Sequence, residues 1–99
     1  MKRISTLMAL AVLTTGAAQA GTIENACIQS ERGASRSLCS CIQRVADVKL
    51  NRSDQKMAAK FFKDPHLAQE TRQSDTRSKE RFWLRYKEWG QSAAQSCSG

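Results

Sequence analysis

The chain has one histidine, one proline, one tyrosine and no long apolar run beyond its first segment. With His66 as the sole imidazole, a hydrolytic Ser–His or Cys–His pair has little to draw on, and so has a zinc site. The ordinary explanation of His66 is an exposed first-turn residue just after Pro65. No Cys-x-x-Cys-His stretch occurs, which removes covalent haem of the c type. Strand signals are scarce, because no period-two alternation is sustained and β-branched residues do not cluster. There is no internal repeat and no low-complexity linker, and glycine is sparse after Gly33. What remains points to helices.

The segment Met1–Ala20 has the pattern of a secretory signal peptide. Lys2 and Arg3 give it a positive start, an apolar core runs roughly from Ile4 to Leu13, and Ala18-Gln19-Ala20 is a small-x-small cleavage site. The apolar core falls short of the ~20 residues that cross a bilayer, and no later segment reaches that length. Gly21 follows the cut, where a lipid-anchored protein would carry cysteine. The expected organisation is a signal peptide over 1–20 and one small domain over 21–99, exported to the periplasm or beyond. Cleavage leaves 79 of the 99 residues and, with Lys2 and Arg3 gone, lowers the net charge from +7 to +5. A core of that size is marginal and calls for covalent staples. The basic balance favours an anionic envelope surface or an acidic protein as partner, and export argues against nucleic acid.

The mature part reads as all-α, a small disulfide-stapled bundle of about four helices. A first helix covers about Ile23 to Glu31 and stops near Gly33. A second runs from about Ser35 to Leu50, with Leu38, Cys41, Val45 and Val48 on one face. Cys39, Ile42, Ala46 and Leu50 widen that apolar arc, and Ser40, Gln43, Arg44 and Asp47 form the polar strip. So broad an arc predicts a central helix with neighbours on two sides. Ser53 is expected to cap a third helix ending near Lys63, and Asp64-Pro65 to stop it and start a short segment to about Arg72. The last helix, about Thr76 to Ser96, gathers Phe82, Tyr86, Trp89, Ala93 and Cys97 into the clearest core face of the chain.

Cys27, Cys39, Cys41 and Cys97 make an even count in an exported chain, which favours two disulfides. On a helix Cys39 and Cys41 point ~200° apart, so one bonds the first helix and the other the last. A hairpin centred near Ala34 places Cys27 opposite Cys41 and leaves Cys39 for Cys97. A one-turn shift of the hairpin gives the rival pairing, Cys27–Cys39 with Cys41–Cys97. A competing reading makes Cys39 and Cys41 a thiol-redox or soft-metal site.

Of the basic residues, Arg77, Arg81 and Arg85 recur every four positions opposite the aromatic face, with Leu84 exposed beside them. Lys56, Lys60 and Lys63 form a second stripe. These six are the candidate anion-facing residues, set against the plainer reading of a solvated helical surface. Neither a catalytic group nor a cofactor or metal is expected, and the leading function is a non-enzymatic binding or interaction module.

The combination of a signal peptide, Cys27, Cys39-Ser40-Cys41-Ile42, the segment Phe82-Trp83-x-x-Tyr86-x-x-Trp89 and a terminal Cys97 resembles a family of small exported alphaproteobacterial four-cysteine proteins. Some members carry the label "arginine transporter". The resemblance implies at most an accessory role in arginine or solute uptake and supplies no site residues.

Overall fold

The computed structural model describes residues 21–30 and 34–97. The expected signal peptide over 1–20 and the expected stop at Gly33 lie outside the described residues. Among those described, the protein is all-α: α1 (Thr22–Gln29), α2 (Arg36–Lys49), α3 (Arg52–Lys63), α4 (Pro65–Arg72) and α5 (Arg77–Ser96). The short segment after Pro65 is a helix in its own right, so the described residues hold five helices. No strand occurs among them, and no helix is long and apolar enough to cross a membrane.

Helix boundaries follow local chemistry. The Ser35 hydroxyl accepts from the Leu38 N–H at 3.1 Å and opens α2. Asn51, not Ser53, caps α3, its side-chain oxygen accepting from the Asp54 N–H at 2.8 Å. Leu50 turns extended to end α2 with its side chain buried, so the chain is free to restart one residue later, which places Ser53 inside the new helix. Pro65 takes the first position of α4, where a missing N–H costs nothing.

α1 and α3 pack on each other, α1 also on α2, α2 on α5, and α4 on α3 and α5. The centre is Ile23, Ala46, Leu50, Ala58 and Trp89, flanked by Ile42, Val45, Phe62 and Tyr86. The small Ala46 and Ala58 let backbones approach, while Trp89 fills the space and donates its indole N–H to the Ile42 carbonyl at 3.1 Å. Phe61 meets Phe82 and Tyr86 edge-on, with ring centroids 5.9 and 5.1 Å apart, which joins α3 to α5.

α2 has neighbours on two sides, as its broad apolar arc predicts, but its rotation differs from the expected one. The buried residues are Cys39, Gln43, Ala46 and Leu50, whereas Val48 is 80% exposed and Leu38 37%. The reason lies in Gln43. α1 starts at Gly21, which has no side chain to cap its first N–H groups. Gln43 reaches across and accepts from the Glu24 N–H at 2.8 Å. Its amide then donates to Asp47 Oδ1 and Gln55 Oε1, both at 2.8 Å, and Gln55 donates to the Ala46 and Leu50 carbonyls. One buried amide thereby links α1, α2 and α3. A methyl group on Gly21 would collide with the Gln43 side chain, so the missing Cβ makes room for the cap.

Candidate functional site

The cysteines set the frame. The disulfides are Cys27–Cys39 and Cys41–Cys97, which overturns the favoured pairing of Cys27 with Cys41 and Cys39 with Cys97. Cys39 thus faces α1, and Cys41 faces the end of α5. Cys39 is wholly buried, and the Cys41 sulfur lies 3.7 Å from the Ser96 carbonyl. All four thiols are bridged, each of the Cys39–Cys41 pair to a different helix. Among the described residues no group of three or more His, Cys, Asp or Glu side chains could hold a metal.

The six candidate cations divide. Arg85 is not free: its guanidinium donates twice to Asp54, from Nε to Oδ2 at 2.6 Å and from Nη2 to Oδ1 at 2.9 Å. Asp54 is buried in the first turn of α3, where the helix dipole also favours a carboxylate. The hydrogen bond to Asp54 is the main cause that raises the Arg85 pKa; burial opposes it and the Asp54 charge adds to it. Arg85 therefore serves structure and leaves the anion-facing set. Arg77, Arg81, Lys56, Lys60 and Lys63 are exposed, and none belongs to an ion pair among the described residues.

Two of these five cations line a groove. Lys60 and Lys63, with Ala59, form one wall of an open groove of about 330 Å³ between α3 and α1; Thr22, Asn25, Ala26 and Gln29 form the other. Amides and a hydroxyl thus face two ammonium groups. A second groove of about 470 Å³ follows the α2–α5 seam, lined by Cys41, Arg44, Val45, Val48, Lys49, Ser92 and Ser96. Arg77 and Arg81 lie farther back along the same edge of α5, on the helical row that continues through Glu88 to Ser92. A smaller apolar recess of about 100 Å³ sits among Phe61, Phe62, Pro65 and Tyr86. His66 is exposed beside Glu70, 3.6 Å away, and touches none of the grooves.

Sequence periodicity does not reveal three participants. Asp54 lies 31 positions from Arg85, beyond any helical period. Gln43 falls on the polar strip of α2 by pattern yet is buried, and the signal for it is a first helix with no capping side chain at Gly21, which needs a partner elsewhere. Val48 falls on an inward face by pattern yet is exposed. Comparison with protein-family models, curated proteins and solved structures finds no match.

Proposed function

We propose that the protein is an exported, non-enzymatic binding module that presents a basic surface to an anionic partner. The observation that carries this reading is the division among its cations. One arginine is consumed by a buried carboxylate, while Lys56, Lys60, Lys63, Arg77 and Arg81 are exposed on a disulfide-stapled frame and belong to no ion pair among the described residues. Exposed cations gathered on a small surface raise the local concentration of anions and steer their approach. Two disulfides in so small a domain fit an oxidising compartment, as export requires. With every cysteine bridged, a thiol or thiolate function has no free sulfur to use.

Binding of the exported protein to phosphatidylglycerol vesicles and to soluble polyphosphate tests the reading. Replacing Lys56, Lys60, Lys63, Arg77 and Arg81 by Gln is expected to weaken both interactions at least about tenfold and to make their salt dependence shallower. Unchanged affinity for both anions would contradict it.

A further inference from the structure

Two large aliphatic side chains on neighbouring helices stand in water. Val48 is 80% exposed and Leu84, on α5, 62%. They flank one seam. Val48 lines the α2–α5 groove together with Ser92, and Leu84 is two turns before Ser92 on the same edge of α5. Between them Lys49 meets Glu88 at 4.0 Å. Val45 continues the apolar strip into the groove, and the Cys41–Cys97 disulfide closes its far end.

Cations surround the strip. Arg44 lines the groove, its guanidinium bonded to the Ser40 hydroxyl at 3.1 Å. Arg81 and Arg77 lie three and seven residues before Leu84, positions that neighbour it on α5. The acids along the seam are fewer and partly engaged: Glu88 faces Lys49, Asp47 is held by Gln43 and Gln55, and Glu80 stands alone.

The geometry points to the surface of an anionic lipid bilayer as the partner of this edge, with Val48 and Leu84 entering the headgroup–acyl boundary and Arg44, Arg77 and Arg81 meeting lipid phosphates. The inference rests on the anion-binding reading and names its partner. A soluble polyanion has no use for two exposed aliphatic side chains, whereas an interface accepts apolar groups and neutralises the cations beside them. A second copy docked on the same edge would set arginine against arginine. Because the apolar contact is small and no helix among the described residues is long and apolar enough to cross a bilayer, binding is reversible and strengthened by anionic lipid.

The test uses the exported protein with three probes: vesicles containing about 30 mol% phosphatidylglycerol, vesicles of phosphatidylcholine alone, and polyphosphate. The double variant Val48→Gln and Leu84→Gln is expected to bind the anionic vesicles about tenfold more weakly and polyphosphate as before, and Leu84→Trp to bind the vesicles more tightly. Near-ultraviolet circular dichroism verifies that the variants stay folded. Vesicle binding unaffected by the double variant would overturn the lipid assignment. So would a parent protein that binds polyphosphate but no vesicle, which would place a soluble acidic partner on this face. Failure to bind any anion would overturn the underlying reading as well.

Discussion

The Arg85 guanidinium clasps the Asp54 carboxylate in a two-point hydrogen bond that ties the middle of α5 to the first turn of α3. The two ends are unequal, because Asp54 is buried and Arg85 is 41% exposed at its side chain. Removing the arginine strands a carboxylate that water cannot reach, whereas removing the carboxylate leaves a guanidinium free to swing outward. Arg85→Gln should therefore cost about 2 kcal/mol and Asp54→Asn about 1 kcal/mol. Chemical denaturation of both variants measures the difference, and equal costs would contradict the burial argument.

The same pair predicts a flat pH response on the arginine side. Asp54 raises the Arg85 pKa above its ordinary value, so its contribution is fully present below that ordinary value. It is lost only as pH climbs through the raised one. The stability gap between the parent and Arg85→Gln should stay constant between about pH 6 and pH 9. A gap that shrinks within that window would mean another group titrates against Arg85.

The two disulfides should differ in both accessibility and effect. Cys27 and Cys39 are buried, while Cys41 and Cys97 are half-buried beside an open groove. Stepwise reduction with alkylation and mass spectrometry should release Cys41–Cys97 first. That bridge closes 56 positions against 12 for the other, worth about 4 and about 3 kcal/mol in the chain-entropy model. Release of both at the same reductant concentration would mean that burial does not protect the inner bridge.

Gln43 offers a test of the buried amide network. Gln43→Leu keeps the volume but orphans the Glu24 N–H and a Gln55 bond, and should cost about 2–3 kcal/mol. Gly21→Ala, a change at the margin of the fold, should destabilise as well because the new methyl displaces the cap. Hydrogen exchange at the α1 amides reports both. Unaltered protection of α1 in Gln43→Leu would show that the helix does not depend on this cap.

Much of the frame was legible in local pattern: Asp64-Pro65 marks the α3–α4 joint, and Phe82, Tyr86, Trp89 and Ala93 mark the inner face of α5. These signals are set by neighbours within one or two turns. The rotation of α2 was not legible that way, because it is decided by a vacancy at Gly21 on another helix that a glutamine fills. The disulfide pairing was not legible either, because Cys39 and Cys41 are two residues apart on one helix and the choice between them depends on how α1 and α2 are set against each other. Among the candidate cations, periodicity grouped Arg77, Arg81 and Arg85 correctly on one helical row. Only packing could reveal that Arg85 alone finds a buried acid, and that the aliphatic residues beside its neighbours stay in water.

If the basic surface binds anions as proposed, the position of its cations and not their total number should decide the affinity. The direct measurement compares two charge-matched double variants for binding to phosphatidylglycerol vesicles across a salt series. Arg77→Gln with Arg81→Gln removes two exposed cations from the α5 edge; Arg72→Gln with Lys79→Gln removes two exposed cations elsewhere on α4 and α5. The account predicts a several-fold loss and a shallower salt dependence for the first pair, with the second binding as the parent does. Equal losses in the two pairs would contradict it.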